Sequence, residues 1–359
     1  MKTTSEDTTI IGWRAPSNIA LIKYWGKRGN QLPENGSLSI SLDKSTTTTF
    51  LTYQKKKSGD SSISLKYFFH GDRQPQFEKK TEKLLYTLSN NEMPFITEYD
   101  LIFQSENNFP HSTGIASSAS SMSALALCLV SMEEAITQKK ISKEAFFRRA
   151  SLIARLGSGS ASRSVFGALV TWGSIPSLKG SSDEYATPFE LHQGSRLNSV
   201  RDIILIVSSK EKSVSSTKGH ALMGEHPYRE GRKLQANANL SKISDAIRNN
   251  DYRTIGEIAE NEALSLHALL MTSGSEGLLL KPGTIHIIEE IKRFRETTGL
   301  DLFFTIDAGP NVHLIYYEDQ REEVLSFVRK TLSQFCEGGQ WIDDKIGNGP
   351  QQLLPETEN

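Results

Sequence analysis

Along the chain, apolar and polar positions alternate first with a period of two and only later with helical spacing. Ile10–Ala15 is a short apolar run closed by Pro16. Ser37–Leu42 alternates small polar with aliphatic residues, Thr46–Tyr53 is threonine-rich, and Ser62–Phe69 precedes a Gly71–Asp72 turn. Ser37–Leu42 reads as a half-buried strand, Thr46–Tyr53 as β-prone and Ser62–Phe69 as another strand. Strands that precede any long helix argue against a dinucleotide-binding βαβ sheet. Helical spacing begins at Phe77–Leu88. After a short strand at Leu101–Gln104, a helix runs from Ser117 to about Ile136, and Ser142 is placed to cap another that ends near Gly157. Gly167–Gly173 is again a strand.

The stretch Ser174–Ser199 is polar and irregular, and a domain boundary is expected near its end. Beyond it, Asp202–Val207 is a continuous apolar run that fits a central strand. Glu230–Asn250, Ile255–Met271 and Gly283–Thr298 read as helices, the last between Pro282 and Gly299. Leu302–Ile306 and Val312–Tyr317 are strands, and Glu322–Phe335 is an amphipathic helix. The order β-α-α-α-β-β-α predicts an antiparallel sheet with helices on one face. The expected fold is α+β in two domains, 9–198 and 199–350, with 1–8 and 351–359 disordered.

Composition changes this picture little. A 359-residue chain fits two domains of ordinary size. A formal net charge of -1 gives no electrostatic case for nucleic acid or a membrane surface. Cys128 and Cys336 are too few for a disulfide scaffold and fit a reducing cytoplasm. The first ten residues carry no apolar leader core, and no apolar run is expected to span a bilayer.

Four polar clusters carry candidate chemistry. Lys23–Tyr24–Trp25–Gly26–Lys27–Arg28 sets three cations around two aromatics and could grip a polyanion; equally, Trp25 could be core and the lysines solvated. Asn107–Ser121 is a Gly/Ser-rich loop entering an alanine-rich helix. Small side chains and a helix N-terminus suit a phosphate, although a capped helix would look the same. No Gly-Lys-Ser/Thr follows, so it is not a Walker loop. Gly157–Ser164 is a second such loop and contains Arg163. Asp307–Ala308–Gly309–Pro310–Asn311 turns sharply after an apolar strand, where Asp307 could be a general base or an ordinary turn aspartate. The eight histidines show no metal-binding spacing, and His267 and His313 are expected to be structural.

Pro110-x-x-x-Gly114–Ile115–Ala116–Ser117–Ser118–Ala119 resembles the phosphate loop of the GHMP kinase superfamily. Within it, Asn18–Ile19–Ala20 with Lys23–Arg28, Glu106–Pro110, Gly157–Ser164, Val214–Thr217 and Asp307–Asn311 resemble the diphosphomevalonate decarboxylase family, in the family's order and over nearly the whole chain. The resemblance implies an N-terminal domain like ribosomal protein S5 domain 2 and a ferredoxin-like C-terminal domain. It implies an ATP- and Mg²⁺-dependent homodimer of the cytoplasm. Phosphorylation of a tertiary hydroxyl is followed by loss of phosphate and CO2, giving isopentenyl diphosphate.

By the same resemblance Asp307, Lys23 and Arg163 are catalytic. Tyr24, Trp25, Gly26, Lys27, Lys79, Ser158, Gly159, Ser160, Ala161, Ser162, Ser216 and Thr217 hold the substrate, and Asn108, Pro110, Gly114, Ile115, Ala116, Ser117 and Ser118 hold ATP. No protein metal site is expected. His111–Ser112–Thr113, Ser162 and Thr217 depart from the commoner family residues. Related 3-kinases, a mevalonate 3,5-bisphosphate decarboxylase and a non-catalytic binder are the alternatives; some of the related enzymes lack the Asp–Lys–Arg set that is present here.

Overall fold

Alternating serine and threonine with aliphatics builds two strands longer than the sequence suggests. In the computed structural model, which describes residues 2–3, 8–57, 59–109, 115–176, 178–210, 216–274 and 278–353, β1 spans Thr8–Ile22 and β2 spans Ser37–Lys55. The predicted breaks at Pro16 and after Leu42 are irregularities inside single strands. Pro16 lies at a register shift between β1 and β2, where a residue without an N–H is tolerated. β2 bends at Asp43–Lys44, where three backbone N–H groups leave the ladder. The Asp344 carboxylate accepts all three, from Asp43 (3.0 Å), Lys44 (2.8 Å) and Ser45 (2.7 Å).

The first sheet continues with β3 (Ser64–Phe69) and β4 (Tyr99–Asn107). The order β1-β2-β4-β3 is antiparallel except for the β3–β4 pair. β5 (Leu169–Trp172) pairs with the start of β2, and β6 (Ala186–Phe189) pairs with β5. β6 lies inside the stretch expected to be irregular. At the termini, Lys2–Thr3 and Gln351–Leu353 each pair with β1, contrary to the expected disorder. Helices α1 (Pro75–Ser89), α2 (Ser117–Thr137) and α3 (Lys143–Gly157) complete this domain's core. α2 corrects one expectation. Its 21 residues are long and apolar enough to cross a membrane, but most of the helix is buried in this domain's core.

The second sheet has the order β8-β9-β7-β10, all antiparallel, formed by β7 (Val200–Leu205), β8 (Phe303–Thr305), β9 (Val312–Tyr317) and β10 (Trp341–Lys345). Between β7 and β8 come α4 (Ser216–Leu222), α5 (Arg229–Arg248), α6 (Tyr252–Thr272) and α7 (Pro282–Thr298). α8 (Arg321–Phe327) continues through a π turn to Leu332. One face of this sheet, with Ile203, Leu205, Phe304 and Leu314, packs on α7 and α8. The other does not lie open to solvent as a one-sided sheet would. Ile204, Phe303, Ile315 and Tyr317 share a single core with Ile19, Leu21, Leu38 and Ile40 of the first domain and with α5 and α6. The end of β1 is therefore held between the two sheets.

Candidate active site

β1 ends at Ile22, and the next residue leaves the ladder with a buried ammonium. Lys23 is 2% exposed, and its Nζ donates to Asp307 Oδ1 (2.8 Å) and to the Ala20 carbonyl (2.8 Å). Thr305 Oγ1 donates to that same carbonyl (3.1 Å), tying β8 to β1 just before the turn that carries Asp307. Burial would raise the Asp307 carboxyl, but the Lys23 ammonium outweighs it and holds the group below its usual value of 3.8. Burial lowers the Lys23 ammonium from its ordinary value, against the raising effect of Asp307.

Arg163 lies in the 3₁₀ turn Gly159–Val165, 3% exposed. Its Nε donates to Asn18 Oδ1 (3.3 Å) and its Nη1 to Ser37 Oγ. Burial lowers its pKa to about 10, partly offset by the charge of Asp307. The Tyr24 hydroxyl is buried and has no hydrogen-bond partner among the described residues. It abuts Gly159, where a Cβ would stand 2.8 Å from it. Burial raises its pKa well above the usual range. Such an orphaned hydroxyl at a glycine loop is a ready donor for a ligand. Burial, and then the neighbouring Lys80 ammonium, lower Lys27 to about 8. Among the described residues neither lysine forms an ion pair, so an anion placed between them would relieve the repulsion.

The helix N-terminus faces a different demand. Ala116, the residue before α2, is left-handed (φ 49°) and has no side chain that can cap the first turn. A non-glycine residue held there costs on the order of 1 kcal/mol, and such strain clusters at ligand sites. Ser117 is buried and Ser118 exposed. Together these present backbone N–H groups and one free-facing hydroxyl to an anion.

Two family models match the chain in sequence: a diphosphomevalonate decarboxylase-like N-terminal domain over residues 15–184 and a mevalonate 5-diphosphate decarboxylase C-terminal domain over 202–353. A diphosphomevalonate decarboxylase from Ganoderma lucidum is 32% identical, over 89% of this chain and 81% of its own. The chain belongs to the diphosphomevalonate decarboxylase family. An Aspergillus fumigatus relative is 30% identical over 90% of the chain. The structure of the mevalonate diphosphate decarboxylase from Staphylococcus aureus is 28% identical with a TM-score of 0.80, covering 97% of this chain and 99% of that one. MDDEF in complex with MVAPP, AMPPCP and magnesium is 29% identical with a TM-score of 0.80 and covers 96% and 99%. The expected two-domain α+β fold is thus that of solved diphosphomevalonate decarboxylases.

Within this decarboxylase-family fold the expected site residues separate. Lys23, Asp307, Arg163, Tyr24 and Gly159 come together as described. Ser158 and Ser160 are half-buried on the same turn. Gly26 takes a left-handed φ of 95° and gives its N–H to His220 Nδ1 (3.1 Å). Several expectations are corrected. Trp25 is core: its indole is buried with Met223, Leu266 and Leu270. Ala161 and Ser162 are fully buried, and Ser162 Oγ closes on the Gly159 carbonyl (2.9 Å), so they shape the turn. Lys79 and Lys80 are both exposed on α1, and it is Lys80 whose charge acts on Lys27. Asn108 spends its amide on the backbone of Thr46 (2.9 Å) and Lys44 (2.6 Å). Ile115 is buried in the shared core. Pro110 and Gly114 lie outside the described residues, as do the side chains of Ser216 and Thr217 at the start of α4.

Sequence reasoning missed Arg232 and Glu262, which reach the Lys23 backbone. His267 was expected to be structural rather than catalytic. His267 Nε2 donates to the Asp307 carbonyl (3.0 Å), and burial lowers its pKa to about 4, so the ring is neutral and steadies the Asp307 turn. A sequence signal existed for Arg232. It stands four residues before Ala236, which with Leu240, Ile243 and Ile247 forms the buried stripe of α5.

Proposed function

We infer that this chain catalyses the ATP-dependent decarboxylation of mevalonate 5-diphosphate to isopentenyl diphosphate, with ADP, phosphate and CO2 as the other products. The observation that carries this reading is the buried Lys23–Asp307 ion pair beside Arg163, on a scaffold whose relatives are diphosphomevalonate decarboxylases. Asp307 accepts the proton of the substrate's tertiary 3-hydroxyl as that oxygen attacks the γ-phosphorus of ATP and the bond to ADP breaks. Lys23 keeps the carboxylate ionised and oriented. The new phosphate leaves with its C–O bond pair. The C–C bond to the carboxylate then breaks, its electrons form the alkene, and CO2 departs. Arg163 holds that carboxylate in line, while Tyr24, Lys27 and Lys80 take the diphosphate and the α2 N-terminus takes the ATP phosphates.

Magnesium fits this donor set as an ion carried by the ATP phosphates, neutralising their charge. Ser118 is the exposed hydroxyl at that helix start, and no acidic cluster stands among the described residues.

The deciding assay follows ADP and labelled CO2 from carboxyl-labelled mevalonate 5-diphosphate. Both should appear in equal amounts. ADP without CO2 would make the chain a 3-kinase, and binding without either product would make it a non-catalytic relative. A homodimer in the cytoplasm and a domain boundary at 198/199 belong to the same reading. They are supported by the family resemblance and by the gap between β6, ending at Phe189, and β7, starting at Val200. Light scattering of the purified chain tests the dimer.

A further inference from the structure

Two charged residues from the second domain meet the backbone of Lys23, and nothing in the reaction just described uses them. Arg232 on α5 and Glu262 on α6 form a fully buried ion pair, with side chains 1% and 0% exposed. The pairing is bidentate: Nη1 to Oε1 at 2.7 Å and Nη2 to Oε2 at 2.6 Å. Asn239 donates a further bond to Oε1 (2.8 Å). The same atoms then reach across the domain interface. Glu262 Oε2 accepts the Lys23 N–H (2.9 Å), and Arg232 Nη2 donates to the Lys23 carbonyl (3.1 Å), which also accepts from Asn35 (2.9 Å).

A buried ion pair is a poor way to stabilise a fold, because a well-packed apolar pair is often as good or better. This one does something an apolar pair cannot. Lys23 lies just past the end of β1, so its N–H and C=O have left the ladder and would be orphaned in the interior. Both are instead caught by charged partners, at the one residue whose ammonium holds Asp307. The Lys23 side chain can reach Asp307 and the Ala20 carbonyl together only if its backbone is held in this direction.

We propose that Arg232 and Glu262 are positioning residues for the proton-transfer step, fixing the backbone of Lys23 from the second domain and through it the ammonium that orients Asp307. This rests on the reading of Asp307 as the base. The charged and titratable groups facing the Lys23–Asp307 pair are Glu262, Arg163, His267 and, from the second sheet, Asp202 and His313. Loosening Lys23 removes the dominant cation from Asp307 and leaves burial to raise its carboxyl.

Removing one partner would strand the other as a buried charge, so the informative variant is the double replacement Arg232→Met/Glu262→Leu. A second, Arg232→Gln/Glu262→Gln, keeps a donor and an acceptor for the Lys23 backbone without the charges. Three quantities are measured: thermal unfolding, steady-state kinetics, and the carboxyl ¹³C NMR titration of Asp307 in the ligand-free chain, assigned with Asp307→Asn. The apolar pair should stay folded, lose about tenfold or more in kcat with the KM for ATP within about threefold of wild type, and titrate Asp307 at higher pH. The glutamine pair should recover most of both. A folded apolar pair with wild-type kcat and an unmoved Asp307 midpoint overturns the proposal. An apolar pair that does not fold overturns it too, since the charges would then serve the fold rather than Lys23. Wild-type protein that releases no CO2 sinks the functional reading instead; the Asp307 titration needs no substrate and still decides this one.

Discussion

In the proposed reaction Asp307 and Lys23 divide one task. The carboxylate must be basic enough to take a proton yet ionised in a buried place, and the ammonium 2.8 Å away meets the second demand. Asp307→Asn removes the base and leaves Lys23 without its counter-charge. Turnover should fall by on the order of 10² to 10⁴ while substrate binding by calorimetry changes little. The Asp307 carboxyl is held below 3.8, so the ion pair is fully present above that value and is lost as pH falls through the lower folded one. His267 makes an earlier acid dependence. Its folded pKa of about 4 lies below the unfolded 6.5, so the unfolded chain takes the proton first. That contribution, on the order of 3 kcal/mol, is complete above 6.5 and is lost as pH drops toward 4. Urea midpoints measured across this window should fall less steeply in His267→Gln, which keeps a donor for the Asp307 carbonyl.

At the scale of single elements, the Gly159–Val165 turn is the tightest fit. A Cβ at Gly159 would meet the Tyr24 hydroxyl at 2.8 Å and the Trp172 ring at 2.9 Å. Tyr24 is wedged between Trp172 and His220, so it has nowhere to retreat. Gly159→Ala should therefore displace the hydroxyl and raise the KM for the diphosphate substrate by on the order of tenfold or more, with a smaller change in kcat. The elements also show what the sequence made legible. Lys23, Arg163 and Asp307 were singled out because their short segments resemble the family's motifs in the family's order, and the fold brings the three side chains together. β1 and β2 were read in pieces, because Pro16 and Asp43–Lys44 are local breakers. What repairs the second break is Asp344, some 300 positions away, which no local pattern announces. Arg232 and Glu262 were invisible for the same reason: their partner is a backbone in another domain.

Across the whole molecule, Asp344 and the shared core do the joining. The Asp344 carboxylate, fully buried on β10, caps the bend of β2 and so connects the two sheets. Asp344→Asn can accept at fewer of those three N–H groups. It should cost about 1–3 kcal/mol in urea unfolding, in one transition rather than two.

That last expectation follows from the core that the two domains hold in common. Swinging the sheets apart would bring Ile204, Phe303 and Ile315 into water, at about 1.5–3 kcal/mol for each. A hinge is thus closed to this enzyme. The two sheets stay clasped through every turnover. A chain cut near residue 199 should give two insoluble halves rather than two working modules.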